Sequence, residues 1–247
     1  MSEGALGLLV LAGSGEYTPA MDTVDRFLLE HSDEKPVLLI ATSCAQEGLH
    51  VMEKWERMGA AHFRNLGIEA LPLRIVDSED ANKPEHAEAI SAAGVVWFSG
   101  GSPVYLAQAF ADTLAFRALD AANRAGVAVA GSSGGLGVLN ANVPSPDPNV
   151  ATGTTALGLA APVRALAHFD RMEARRPEFI DRILKNLQPG QMAVGLDEDT
   201  AVVWTDHHWQ VMGHKRAVVF NGGERVIFKH GDVVDILPTP LRAREGS

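Results

Sequence analysis

The chain has 247 residues, 46% of them hydrophobic and 21% charged, with a formal net charge of -10 at pH 7. That length supports one large α/β domain with a substantial core and does not require a second. The acidic balance argues against a nucleic-acid partner, which needs clustered Lys and Arg, and the single cysteine, Cys44, excludes an internal disulfide.

A lone cysteine suits a reducing compartment. Met1-Ser2-Glu3-Gly4 lacks a basic start, and the apolar run Leu6–Ala12 is too short to span a bilayer, so a cytoplasmic protein with no membrane partner is expected.

Leu6–Ala12 reads as a first buried strand, and Gly13-Ser14-Gly15-Glu16 as a tight turn before a helix from about Pro19 to Glu30. A third glycine of a dinucleotide fingerprint is missing, since Thr18 stands in its place; the turn is read as the ligand-facing edge of a sheet, with no cofactor. Pro36–Ala41 is the second strand, followed by helix to about Leu66; Cys44 lies in this stretch without a glycine elbow and is read as structural. Ile68–Val76 is a third strand, Glu85–Ala92 a short helix and Gly94–Phe98 a fourth strand. Ser99-Gly100-Gly101-Ser102-Pro103 then lets backbone approach a ligand closely, and Val104–Ala111 continues as helix.

The β-branched run Val127–Ala130 drives into Gly131-Ser132-Ser133-Gly134-Gly135, which fits Gly-X-Ser-X-Gly, before a helix-compatible segment. That is the strand–turn–helix setting of a nucleophile elbow, in which a serine on a strained turn needs small residues two before and two after it. Ser133 would project above the carboxyl end of the sheet, with the Gly134 N–H and either Gly100 or Gly101 N–H available to an oxyanion. The same small-residue turn also serves packing or phosphate binding, so the motif alone leaves both readings open.

Ala141–Val150 holds three prolines and one acid, Asp147, and reads as a loop. Val163–Ala167 is strand-like and delivers His168-Phe169-Asp170-Arg171; Pro177–Leu187 is helical. From Met192 the period becomes two, through Met192–Leu196, Ala201–Trp204, Trp209–Met212, Ala217–Phe220, Val226–Phe228 and Val233–Ile236, which read as antiparallel additions to the sheet. Pro238–Ser247 reads as a loose tail on a single domain. His207-His208 has no matching ligand spacing, and no metal site is expected.

Four stretches in series are similar to the serine peptidase family of aspartyl dipeptidase (peptidase E) and cyanophycinase. They are Gly131–Gly135, Trp97–Ser102, Gly158–Phe169 with its closing His168-Phe169 pair, and Val194-Gly195-Leu196-Asp197-Glu198-Asp199-Thr200-Ala201. The family writes its elbow Gly-X-Ser-Ala-Gly, where this chain has Gly134. The resemblance implies a class I glutamine-amidotransferase-like, flavodoxin-like α/β fold, a three-layer sandwich with a mostly parallel central sheet and antiparallel C-terminal strands. It implies Ser133 as nucleophile, His168 as general base and a third, acidic member in the loop between them, where Asp147 is the only carboxylate; Asp170 is the alternative orienter of the imidazole.

Gly101 and Gly134 are then the expected oxyanion donors, and Ser102, Arg171 and Glu198 the expected substrate contacts. Asp197-Glu198-Asp199 otherwise reads as a turn between strands, and Arg171, Arg175 and Arg176 as either a solvated cluster or a fork for a substrate carboxylate. Leu166 and Ala167 replace the Asp-Gln that cyanophycinases carry before His-Phe, which argues against cyanophycin as substrate. The expected activity is serine-type hydrolysis of a small peptide or isopeptide, with an acidic group on the substrate and a homodimeric enzyme. A carboxylesterase or amidase using the same serine, and a non-catalytic amidotransferase-like binding module, are the alternatives.

Overall fold

The computed structural model describes residues 6–32, 35–145, 153–205 and 207–240. In chain order the strands are β1 (Leu9–Ala12), β2 (Val37–Ile40), β3 (Ala70–Pro72), β4 (Val95–Phe98), β5 (Ala128–Ser132), β6 (Asn142–Val143), β7 (Thr154–Thr155), β8 (Val163–Leu166), β9 (Met192–Leu196), β10 (Thr200–Thr205), β11 (His208–Gly213), β12 (Ala217–Asn221) and β13 (Glu224–Phe228). The helices are α1 (Asp22–Glu30), α2 (Leu49–Asn65), α3 (Pro84–Ala92), α4 (Pro103–Phe110), α5 (Leu114–Arg124), α6 (Gly134–Leu139), α7 (Phe169–Arg175) and α8 (Pro177–Lys185). Among the described residues no helix is long and apolar enough to cross a membrane.

The central sheet has the order β11-β10-β1-β5-β4-β2-β3. Its β1, β5, β4, β2 and β3 are parallel, and β10 and then β11 extend it antiparallel beyond β1. Successive side chains of a strand face opposite sides. Accordingly Leu9 and Leu11 enter one apolar cluster with Ile90, Leu106 and Leu119, while Val10 and Ala12 enter another with Val24, Leu28 and Phe63. A strand covered by helices on both faces must be apolar at every position, and β1, β2 and β4 are buried throughout. This is the mostly parallel, flavodoxin-like layering that the family resemblance implies.

Parallel pairing brings the carboxyl ends of β1, β5, β4 and β2 to one edge, where the crevice of such a sheet lies. The turns at Gly13–Glu16, Ala41–Cys44, Ser99–Ser102 and Ser132–Gly135 therefore meet there.

The C-terminal third departs from the sequence expectation. Only β10 and β11 join the central sheet; β8, β9, β12 and β13 make a second sheet in the order β13-β12-β9-β8, with β8 and β9 parallel. Its packing explains the separation. Leu166, Phe169, Ile180, Ile183 and Val218 form their own core under α7 and α8, and the Phe169 ring fills the space over Gly195, where any Cβ would collide with it. Ionic contacts fasten α7 to the same sheet: Arg216 Nε meets Asp197 Oδ2 at 2.7 Å and Arg216 Nη2 meets Glu173 Oε2 at 3.1 Å, while Arg225 pairs with the other Glu173 oxygen.

Smaller differences follow local chemistry. The third strand is confined to Ala70–Pro72, and Val233 makes only an isolated bridge to Gln210, because Asp232 closes a turn on Lys229 while Val234 and Leu237 turn into the core. Helix α5 and the β6–β7 ribbon were not legible in the sequence. The start of the tail is anchored, since Trp209 Nε1 donates to Pro238 O at 3.0 Å.

Gly195→Ala is expected to destabilise the protein by about 1–3 kcal/mol, the usual cost of forcing a methyl group into a filled core. Urea unfolding at equilibrium checks it; stability equal to wild type would refute the packing account of the second sheet.

Candidate active site

Ser133 sits between β5 and α6 at φ 52°, ψ -114°, a conformation that a side chain rarely adopts. The surrounding glycines make it possible. A Cβ on Gly131 would strike the Gly135 carbonyl, and one on Gly135 the Phe98 carbonyl. Gly134 is under the tightest constraint: a Cβ there would be driven into the Gly101 carbonyl and would stand 2.9 Å from Gly101 N. The alanine of the family's elbow would not fit here.

Strand β8 delivers His168 to the serine. His168 takes a left-handed conformation (φ 50°, ψ 39°), its N–H donates to Gly13 O at 2.9 Å, and its Nε2 lies 2.7 Å from Ser133 Oγ. Its Nδ1 lies 2.7 Å from Glu198 Oε1. The other Glu198 oxygen accepts from Arg171 Nη2 at 2.9 Å. A hydroxyl, an imidazole and a carboxylate thus stand in one line.

The acid facing the imidazole is therefore Glu198, expected from sequence as a substrate contact. Asp147 lies outside the described residues. Asp170, the alternative, turns away to Lys215 Nζ at 3.0 Å. Burial would raise the Asp170 carboxyl, but hydrogen bonds from Lys215 and from the Glu198 and Arg171 N–H groups outweigh it and hold the carboxyl below its usual value.

The Glu198 position follows from register. Leu166 of β8 pairs in parallel with Gly195 of β9, so residues just past each strand end lie side by side. The strand–helix–strand spacing of 163–167, 177–187 and 192–196 carried that signal, because such a unit implies a parallel pair.

A second carboxylate was missed altogether. Glu16, read only as part of a turn, is 4% exposed; its Oε1 accepts from Gly100 N at 3.0 Å and its Oε2 from Ser132 Oγ at 2.6 Å. The Gly100 carbonyl is held from the other side by Ser43 Oγ at 2.6 Å and Cys44 Sγ at 2.9 Å. Glu16 thereby occupies one of the two glycine N–H groups at this edge. Among the described residues the Gly101 and Gly134 N–H groups have no hydrogen-bond acceptor.

Ser102 accepts from Tyr105 N at 3.2 Å and caps α4, while its own N–H donates to Ser43 O. Cys44 is buried, and burial pushes its thiol up to about 11, which suits a structural residue rather than a nucleophile. The Arg171 side chain remains 61% exposed. Arg176 stacks 5.1 Å over Phe179.

Comparison with known proteins gives the family of the chain. The sequence pattern of Peptidase family S51 matches residues 8–212. A cyanophycinase of Trichormus variabilis is 23% identical over 216 residues, covering 83% of this chain and 70% of that protein. The structure of a peptidase from an acI-B1 actinobacterium superposes with a TM-score of 0.85 at 31% identity, covering 93% of this chain and 96% of the other. A structure from Listeria monocytogenes with 19% identity and a TM-score of 0.57, covering 91% and 99%, shares the fold. With a match that runs over most of its length, the chain belongs to Peptidase family S51 and is a serine peptidase.

Proposed function

We propose that the enzyme cleaves a small peptide or isopeptide through an acyl-enzyme, with Ser133 as nucleophile, His168 as general base and Glu198 as the acid that orients it. The observation that carries this reading is the line of two 2.7 Å hydrogen bonds from Ser133 Oγ through the His168 ring to Glu198. In the first step His168 Nε2 takes the hydroxyl proton as Ser133 Oγ attacks the carbonyl carbon. The negative oxygen that forms turns toward the Gly101 and Gly134 N–H groups, which cost no reorganisation because the backbone already holds them. The imidazolium then gives its proton to the departing amine, and water repeats the sequence on the acyl-enzyme.

Glu198 accepts the Nδ1 proton, which leaves the Nε2 lone pair facing the Ser133 hydroxyl. Arg171 fixes the second Glu198 oxygen, and its exposed guanidinium gives the cleft a cation three residues after the base. That cation favours a substrate with an acidic side chain or free carboxylate, as in an aspartyl dipeptide. Glu16 contributes indirectly: by occupying the Gly100 N–H it leaves Gly101 as the available donor of the pair.

A fluorophosphonate probe is expected to label the wild-type protein and not Ser133→Ala, read by mass spectrometry; equal labelling of both would refute the nucleophile. Glu198→Gln is expected to lower kcat on an Asp-X dipeptide by about 10²–10⁴-fold, as loss of the tautomer-fixing carboxylate does in such triads, while Asp147→Asn stays within about threefold. The opposite ranking would return the role to Asp147. Gly134→Ala is expected to cost about 10²–10³ in kcat, the scale of losing one oxyanion donor, with the fold retained by circular dichroism. Unchanged turnover would contradict the tight fit against Gly101.

A further inference from the structure

Two arginines outside the proposed catalytic line meet at one cavity of about 250 Å³, whose described lining includes Asn142, Thr155, Arg164, Arg182, Asn186 and Gln188 but no carboxylate. In a chain of net charge -10 such a place is an exception. Arg164, on β8, is 6% exposed, and its two terminal nitrogens donate to the main-chain and side-chain oxygens of Asn142. Arg182, on α8, gives one N–H to Ser145 O at 2.9 Å and stacks 4.9 Å over Phe179. A guanidinium has five N–H donors. Each arginine lines the cavity and has further N–H donors with no acceptor among the described residues. Burial pulls the Arg164 guanidinium down to about 10, and among the described residues no carboxylate pairs with it, a cost that a buried cation normally offsets with an anionic partner.

We propose that this cavity is a binding site for a small oxyanion, a phosphate group or a carboxylate clasped between Arg164 and Arg182, with Thr155 and Gln188 adding polar contacts. The fork of each guanidinium matches two oxygens of such a group, and an ammonium-type or neutral ligand would leave both cations uncompensated. The site is distinct from the cleft. Arg164 stands four residues before His168, on the order of 13 Å at about 3.3 Å per strand residue. Asn140, at the far end of α6 from Ser133, bonds Ala165 through both its amide atoms at 2.9 and 3.0 Å. An anion here binds at the back of the two elements that carry Ser133 and His168, and braces the β6–β7 ribbon and α8 against β8.

Calorimetric titration of the full chain at low salt with inorganic phosphate, and separately with succinate, tests the site. At least one is expected to bind saturably at one site per chain, and the tighter of the two tells whether phosphate or carboxylate chemistry is preferred. Arg182→Gln, at a half-buried helix position and with the fold retained by circular dichroism, is expected to weaken binding by roughly tenfold or more, the scale of one charged hydrogen-bonding partner. Arg164→Lys, which keeps the charge and loses the fork, should weaken it too, whereas Ser133→Ala should bind as wild type. Absence of saturable binding of both anions, or wild-type affinity in Arg182→Gln, would overturn the proposal. So would tighter binding in Asp147→Asn, which would assign the pocket to the chain's own acid in 146–152.

Discussion

The hydrogen-bonded line from Ser133 through His168 to Glu198 depends on three backbone segments arriving at one place from two different sheets. Ser133 comes from β5 of the central sheet, while His168 and Glu198 follow β8 and β9 of the second. What joins them is main-chain bonding at the first turn: Gly13 O accepts the His168 N–H, Ser14 O accepts the Asp199 N–H, and Ala12 O accepts the Ser133 N–H. The end of β1 is thus the common anchor for nucleophile, base and acid. Close approach there leaves no room for side chains, and a Cβ on Gly13 would run into the Leu196 and Asp197 carbonyls.

Buried polar groups fix the remaining parts. Glu16 and the Ser43–Cys44 turn hold Gly100 by its N–H and its carbonyl, so the loop after β4 has little freedom to rotate its peptide planes. Such a network is costly if half satisfied and specifying if complete. Here both Glu16 oxygens are used, and Tyr17, whose hydroxyl meets Ser99 Oγ at 2.9 Å, closes the other flank. Backbone strain at Ser133, His168 and Asp199, all at positive φ, collects at this one edge, where the structure around it over-determines the conformation.

The parallel strands were legible because burial on both faces demands unbroken apolar runs, as in Val37–Ile40 and Val95–Phe98. The elbow was legible because the sterics of a strained serine leave a glycine signature at fixed offsets, and His168 was reached through the family resemblance. Glu198 was hidden in an acidic triple that resembles any polar turn; its placement depends on the Leu166–Gly195 register, a pairing between strands almost thirty residues apart. The second sheet was hidden for the same reason, since period-two patterning tells which strands exist and not which partner each takes. Glu16 and Arg164 were missed because a charged residue beside an apolar run reads as solvated until its partners are known. Why glycine and not alanine stands at 134 followed only from the Gly101 carbonyl packed against it.

The most direct measurement of the central claim is the nuclear magnetic resonance signal of the His168 ring in protein labelled with ¹⁵N-histidine. The account predicts a low-field Nδ1 proton shared with a carboxylate, lost in a Glu198→Gln protein, retained in Asp147→Asn, and shifted when Ser133 carries a phosphonyl group. A ring proton indifferent to Glu198→Gln would contradict it.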